Sequence, residues 1–272
     1  LDATDFDSLQ PDLLITFGGM IVSKKIKTFL RSNPPKTHWH IDPVIANDTF
    51  FCLTKHFKCT VNTFFAKLNL SSIPLPISIY FEKWNSIKMR RIQKHNEYVK
   101  SIPFSDFKVF DSVLSQIPNN YMVQSSNSST IRYLQLFEIN PSLTVFCNRG
   151  TSGIDGSTST AIGAACVSQQ PTVFITGDLS FFYDSNALWN NYIPLNFRII
   201  IVNNRGGGIF RILPGNKNSE NFSTFFETNH LLNAEPISKL FDLEYTSASS
   251  KEELDTALVD FYKQSSRPKI LE

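Results

Sequence analysis

Two polar clusters carry side chains that could do chemistry together. Gly177-Asp178-Leu179-Ser180 follows the apolar run Thr172 to Thr176. Asn203-Asn204-Arg205-Gly206-Gly207-Gly208 follows a second apolar run, Phe197 to Val202. One carboxylate, one carboxamide and a backbone carbonyl two residues farther on make a set of hard oxygen donors, suited to holding Mg²⁺ against a diphosphate. The glycine run would permit close backbone approach and could aim N–H groups at phosphate oxygens. The plainer reading of the same residues is a tight βα turn, with Asp178 capping a helix and the Asn pair forming Asx turns.

For the two clusters to meet, their strands must be parallel neighbours. The segment from Tyr183 to Tyr192 is long enough for the crossover helix that such a pair requires. Both clusters then lie at carboxyl ends of parallel strands, where open α/β sheets bind ligands. Upstream, Thr144-Val145-Phe146-Cys147 reads as another strand and Asn148 to Gly156 as a polar loop. The following helix, Ser157 to Val167, contains Ala161, Gly163, Ala164 and Ala165 and is suited to close packing, a candidate subunit contact. Ser125-Ser126-Asn127-Ser128-Ser129 reads as a polar patch separating two domains, and one of its residues would cap a helix over Thr130 to Glu138. A late helix spans Glu252 to Gln264, and Lys269-Ile270-Leu271 begins a strand.

The first third has the same alternation in weaker form. Asp2 to Gln10 reads as linker-like, Leu13 to Phe17 as a buried strand, and Gly18-Gly19 as a turn. A helix from Val22 to Arg31 stops at Asn33-Pro34-Pro35, and Thr37 to Ile41 is the next strand. Helices follow over Asn62 to Leu68 and Tyr80 to Lys100. G-x-G-x-x-G is missing, so a structural spacer fits better than a nucleotide site. The long helix carries Lys83, Lys88, Arg90, Arg91 and Lys94, which read as a solvated face diluted by Glu82 and Glu97 rather than as a nucleic-acid surface. Trp84 and Ile87, three apart, form its packing stripe.

Composition narrows the class. The 272 residues are 42% hydrophobic and 18% charged, with net charge +2, which excludes a disordered chain and gives no reason to expect a polyanionic partner. No apolar run approaches the roughly 18 residues of a membrane span, and no signal-peptide layout is present. Cys52, Cys59, Cys147 and Cys166 lack C-x-x-C spacing, so free thiols in a reducing cytoplasm are expected rather than disulfides or zinc. The sequence opens on Leu1 and stops within an apolar run, as an excerpt of a longer protein would.

Four motifs occur in order: Asn148-Arg149-Gly150-Thr151-Ser152-Gly153-Ile154-Asp155-Gly156, Gly177-Asp178-Leu179-Ser180, Tyr183-Asp184-Ser185-Asn186-Ala187-Leu188, and Asn203 through Phe210. Together they resemble the thiamine diphosphate-dependent synthase family of menaquinone biosynthesis, the 2-succinyl-5-enolpyruvyl-6-hydroxy-3-cyclohexene-1-carboxylate synthases. The Gly-Asp-Leu-Ser version of the more widespread Gly-Asp-Gly, and the loop around Arg149, are the discriminating parts. The resemblance is close over Asn127 to Pro214 and loose before it. It implies an α/β protein of two doubly wound, Rossmann-like domains with mainly parallel sheets. A middle (spacer) domain would span residues 1–105, a linker 106–126, and a diphosphate-binding domain 127–272. A pyrimidine-binding domain, carrying the glutamate that acts on the aminopyrimidine, would lie outside these residues, which by themselves are expected to be inactive.

The resemblance also implies roles. Asp178, the Asn204 side chain and the Gly206 carbonyl would hold Mg²⁺ or Mn²⁺ on the cofactor diphosphate. Ser152, Gly177, Leu179, Ser180 and Ile209 would join them in binding thiamine diphosphate, and Ile154 would wedge beneath its thiazolium ring. Ser128, Arg132 and Arg149 would bind substrate carboxylates, with Lys24 and Lys25 as a looser match. Fork-shaped guanidinium groups suit carboxylates that must be fixed during reaction. The implied substrates are 2-oxoglutarate and isochorismate, in a cytoplasmic homo-oligomer without nucleic acid or membrane span. Arg205 departs from the pattern, standing where relatives carry a small acidic or amide residue. Another thiamine diphosphate carboligase or decarboxylase of acetolactate synthase type, or a non-catalytic module of the same fold, are the alternatives.

Overall fold

The chain divides into two units, Leu1–Glu97 and Tyr98–Glu272. The computed structural model describes all residues except 1, 2, 20, 22, 69–77, 169, 214, 216 and 217. In the first unit, helix α1 (Ala3–Leu9) precedes strand β1 (Leu13–Phe17), helix α2 (Lys24–Ser32), strands β2 (Thr37–Ile41) and β3 (Lys55–Phe57), and helix α3 (Val61–Lys67). The unit boundary falls within helix α4 (Ile79–Ser101). The strands are parallel in the order β1-β2-β3, with Leu13 opposite Thr37 and Trp39 opposite Lys55. Ser23 starts α2 by accepting the Ile26 N–H, and Pro34-Pro35 prevents its continuation. Thr60 starts α3 in the same way through the Thr63 N–H. Leu9, Phe29, Leu30 and Phe50 form the core, with Trp84 and Ile87 of α4 packed against it. The expected packing stripe is therefore present, and the basic residues of α4 are exposed.

The second unit contains helix α5 (Asp106–Gln116), strand β4 (Met122–Ser125), helix α6 (Ser129–Leu134), strand β5 (Thr144–Cys147) and helix α7 (Ser157–Ser168). Strand β6 (Thr172–Gly177), helix α8 (Asp178–Tyr183), strand β7 (Phe197–Val202) and helix α9 (Ile209–Ile212) follow. Helix α10 (Glu235–Leu240), strand β8 (Glu244–Thr246), helix α11 (Lys251–Phe261) and strand β9 (Lys269–Leu271) end it. All six strands are parallel, in the order β5-β4-β6-β7-β9-β8. Strand order reverses between β4 and β6, which opens a crevice at their carboxyl ends.

Side chains alternate across this sheet because successive strand residues point to opposite faces. Val173, Ile175, Ile200 and Leu271 meet Phe110, Val113, Leu254 and Leu258 on one side. Phe174, Ile199, Ile201 and Ile270 meet Ala161, Ile162, Ala165 and Phe181 on the other. Burying each large aliphatic side chain contributes about 1.5–3 kcal/mol. Coverage of both faces explains why β6 and β7 are continuous apolar runs rather than alternating ones.

Several expectations are corrected. Asp2 to Gln10 is not a linker: α1 occupies most of it, anchored by the fully buried Leu9. Residues 106–126 are not a linker either. They form α5 and β4, and Phe110, Val113, Leu114, Ile117, Tyr121 and Val123 lie in the core of the second unit. Within the supposed polar patch, Ser125, Ser126 and Asn127 are buried, and Ser128 precedes α6 without a side-chain cap bond. The crossover from β6 to β7 is not one helix over Tyr183 to Tyr192. It is α8, which begins at Asp178 itself, followed by a 3-10 turn at Ser185–Leu188. The helix read over Thr130 to Glu138 stops at Leu134, and that read from Val22 begins at Lys24, with Val22 outside the described residues.

One charge lies deep in the sheet. Arg198 of β7 is 2% exposed, and its guanidinium donates to the carbonyls of Phe261 (2.6 Å), Lys263 (2.8 Å), Leu195 (2.8 Å) and Phe197 (3.0 Å). Burial lowers its pKa, an effect opposed by Tyr121, Glu244 and Tyr262. The cation gathers carbonyls at the end of α11, where the helix leaves them without internal partners. Arg198→Met would keep much of the apolar stem while stranding those acceptors. It is expected to lower the unfolding free energy by about 3 kcal/mol, read as a fall in the denaturant midpoint at unchanged slope. An unchanged midpoint would show that water satisfies the carbonyls equally well.

Candidate cofactor and metal site

The predicted residues of the second unit follow the carboxyl ends of β4, β5, β6 and β7, whereas Lys24 and Lys25 lie in the first unit. Asp178, 3% exposed, leaves β6 as the first residue of α8. Its Oδ1 accepts the Leu179 N–H (2.6 Å), and its Oδ2 accepts the Gly206 N–H (2.9 Å) from the turn after β7. Asp178 and the turn holding Asn204 are thus joined directly. Burial pushes the Asp178 carboxyl above its ordinary range, while the N–H groups of Leu179 and Gly206 and the nearby His230 pull the other way. His230 Nδ1 accepts the Leu232 N–H, which leaves Nε2 facing Asp178 Oδ2 across 3.3 Å.

The two asparagines of the turn have different tasks. Asn203 Nδ2 donates to the Leu232 carbonyl (2.9 Å) and to Glu272 Oε1 (2.6 Å), and its Oδ1 accepts the Arg205 N–H. It closes an Asx turn and braces it. Asn204 Nδ2 donates to Asp106 Oδ2 (2.8 Å), whereas its Oδ1 is buried without a partner. A buried, unsatisfied carboxamide oxygen on the turn that also donates to the buried Asp178 carboxylate fits a divalent cation, since leaving such an oxygen bare costs about 1–3 kcal/mol. Among the described residues, no cluster of three His, Cys, Asp or Glu side chains provides another metal site.

The glycine run serves the protein more than a phosphate. The N–H groups of Gly206, Gly207 and Gly208 donate to Asp178 Oδ2, the Glu227 carbonyl and the Gly206 carbonyl. A Cβ at Gly206 would meet the Glu227 carbonyl at 2.5 Å, and Gly206 has φ +146°. The expectation that these N–H groups point at phosphate oxygens is therefore corrected. The close approach is to the segment after a π-helical turn, Phe222–Phe226. Ile209 is buried at the start of α9, and Arg205 is exposed with φ 65°.

The loop after β5 is held from three sides. Asn127 Nδ2 donates to the Asn148 and Gly153 carbonyls, the latter at 2.7 Å, and Asn127 Oδ1 accepts from Arg149 (3.1 Å). Asn148 Nδ2 donates to the Gly156 carbonyl (3.1 Å). Ser180 Oγ donates to the Ile154 carbonyl (2.7 Å), so Ser180 fixes the residue expected to wedge beneath the cofactor. Asp184 then caps α7, accepting both the N–H and the hydroxyl of Ser159 at 2.7 Å. Ser128 and Ser152 both have φ 66°, a region that non-glycine residues occupy only when surroundings impose it. Gly177 and Leu179 flank Asp178 at the strand end.

The arginines resemble each other in one respect. Arg132, in the last turn of α6, and Arg149, after β5, each have a buried Nε without a hydrogen-bond partner. Planar guanidinium edges left open in this way suit a carboxylate. Lys24 and Lys25 begin α2 in the first unit, where Lys25 lines a cavity with Ile26, Trp84, Ile87 and Arg91. Asp106 and His230, which touch the two expected metal ligands, were missed. Asp106 lay in a stretch read as linker, and His230 is an isolated histidine in an irregular segment with no local pattern. Asn127 and Asp184 were visible in the motifs, but their loop-holding roles depend on tertiary partners.

Among the described residues, no helix is long and apolar enough to cross a membrane. The chain is 58% identical over 267 residues to the 2-succinyl-5-enolpyruvyl-6-hydroxy-3-cyclohexene-1-carboxylate synthase of Christiangramia forsetii, covering 98% of the chain and 46% of that protein. The synthase of Flavobacterium johnsoniae is 55% identical over 271 residues, covering 100% of the chain and 49% of that protein. That of Porphyromonas gingivalis is 40% identical over 280 residues, covering 99% and 48%. The chain spans about half the length of the curated relatives it matches. Residues 127–272, more than half of the chain, match the family described as thiamine pyrophosphate enzyme, C-terminal TPP binding domain. With its parallel sheet and buried oxygen donors at the strand ends, the chain belongs to the thiamine pyrophosphate enzymes and carries their C-terminal cofactor-binding domain.

Proposed function

We propose that the chain forms the middle and diphosphate-binding parts of a cytoplasmic, homo-oligomeric 2-succinyl-5-enolpyruvyl-6-hydroxy-3-cyclohexene-1-carboxylate synthase. The whole enzyme would decarboxylate 2-oxoglutarate and join the succinyl unit to isochorismate in menaquinone biosynthesis. The observation that carries this reading is that Arg132, on the helix after β4, and Arg149, on the loop after β5, each keep a buried Nε without a hydrogen-bond partner in the unit that also holds Asp178 and Asn204. A thiamine diphosphate enzyme acting on pyruvate has no second carboxylate to hold, whereas 2-oxoglutarate and isochorismate bring several between them. The names of the relatives point the same way.

Bound thiamine diphosphate supplies the electron sink for decarboxylation of a 2-oxo acid. Asp178, Asn204 Oδ1 and the Gly206 carbonyl would hold Mg²⁺ or Mn²⁺ against its diphosphate. Gly177, Leu179, Ser180 and Ile209 would join them in holding the cofactor, with Ile154 expected to support its ring system and Ser152 to hydrogen-bond its pyrimidine through the backbone. Ser180 keeps the Ile154 loop from withdrawing through its bond to the Ile154 carbonyl. Ser128, Arg132 and Arg149 would fix substrate carboxylates; Lys24 and Lys25, on α2 of the first unit, are the looser match. Asn127 orients Arg149 by accepting from one Nη, which leaves Nε for a ligand.

Two substitutions in the full-length protein separate these roles. Asp178→Ala is expected to abolish Mg²⁺-dependent retention of thiamine diphosphate in calorimetric titration while unfolding remains cooperative. Unchanged cofactor affinity would remove the metal assignment. Arg149→Lys retains charge but loses the fork, so turnover of 2-oxoglutarate is expected to fall by about 10- to 100-fold, a loss of roughly 1.4–2.7 kcal/mol of transition-state stabilisation. Cofactor affinity should stay near that of the unaltered protein. Normal turnover and normal apparent affinity for both substrates in this variant would refute the carboxylate clamp.

A further inference from the structure

Asn204 can serve a cation only through its carboxamide oxygen, yet the two ends of a carboxamide are nearly equal in shape. Something must choose between them. Nδ2 donates to Asp106 Oδ2 at 2.8 Å, and Oδ1 is left buried and unpaired. An ionised carboxylate only accepts, so the reversed amide would press two oxygens together at this distance. Glycine at 208 leaves the carboxamide its room, since a Cβ there would lie 3.1 Å from Asn204 Nδ2. Asp106 comes from the first residue of α5, 98 positions upstream.

We infer that Asp106 is a positioning residue of the cation site: by accepting from Asn204 Nδ2 it turns Asn204 Oδ1 toward the metal. This rests on the proposed role of Asp178 and Asn204 as metal ligands. Outer partners of this kind commonly set metal affinity by orienting the ligand. Asp106 has a second possible task. It is the acidic residue in the first turn of α5, where Ser105 makes no side-chain cap bond, and a negative charge there favours the helix. That helix-terminus role depends on the charge at position 106 and is indifferent to the side chain at 204. Amide selection depends on both.

Mn²⁺ binding to the full-length protein in the presence of thiamine diphosphate, followed by loss of the free-ion paramagnetic resonance signal, distinguishes the two. Thermal unfolding of each variant reports the fold separately. Asp106→Asn presents Asn204 with a group that can face either amide end and is expected to weaken Mn²⁺ binding by about 10- to 100-fold. The exchange Asp106→Asn with Asn204→Asp reverses the polarity of the same bond and offers the metal an oxygen from either end of the new carboxylate. It is expected to recover most of the lost affinity. Should Asp106→Asn not fold, Asp106→Ser, which retains a good helix-start residue, carries the same expectation of weakened binding. Wild-type affinity in the folded single variant overturns the inference, as does a loss that the exchange fails to recover. If the unaltered protein itself binds no Mn²⁺ with the cofactor, the cation site falls first, and all variants will be alike.

Discussion

The hydrogen bond from the Gly206 N–H to Asp178 Oδ2 joins two strand ends that would otherwise be independent loops. It lies between the parallel neighbours β6 and β7, and both partners are buried. A carboxylate in that place must be supplied with donors, because burial alone disfavours its charge. The turn after β7 answers that need with backbone, and the Asn204 side chain is carried into the site as a consequence. Much of the surrounding geometry serves this contact. Glycine at 206 admits the Glu227 carbonyl, Asn203 braces the turn, and His230 stands beside the carboxylate.

The site is layered in a way that separates holding from acting. Groups with full hydrogen-bond complements, such as Asn127, Ser180, Asp184 and Asn203, fix loops against one another. Several groups keep a buried polar atom without a partner, and among them Asn204, Arg132 and Arg149 are proposed to meet metal or carboxylate. The bonded set comes from the turns after β4 and β7 and from helix α8 with its C-terminal cap, so the loop after β5 cannot shift without breaking bonds to Asn127 or Ser180. This is how an open sheet positions charged ligand groups without a rigid metal cage of its own.

Strands β1, β2, β5, β7 and β9 were legible in the sequence to the residue: β7 is a mostly apolar buried run, and the others are short runs rich in β-branched, aromatic or aliphatic residues bounded by polar turns. Asp178 and Asn204 were legible for the same reason, standing immediately after such runs. Strand β4 was not. Its Gln124 and Ser125 are polar although buried, and they merge with the Ser126-Asn127 sequence into what looks like a hydrophilic hinge. Helix α5 was missed with it, since a short amphipathic segment beside a presumed hinge gives little signal by itself. Helix ends were misplaced where tertiary partners override local pattern. Asp178 begins α8 rather than preceding a later helix, and α7 is capped by Asp184 from 25 residues downstream. Roles that depend on contacts between distant positions, those of Asp106 and His230 above all, leave no trace in local spacing.

Arg198 has a consequence for the order in which the chain can assemble. Two of its carbonyl partners, Phe261 and Lys263, lie 63 and 65 residues farther along. Until α11 has docked, the guanidinium in β7 has only the neighbouring Leu195 and Phe197 carbonyls as acceptors, and leaving water costs more. A nascent chain that ends before this point can pair β4, β5 and β6, but its β7 edge stays wet and open. Closing the sheet over β7 thus depends on the docking of α11, a dependence between segments that lie far apart in the chain.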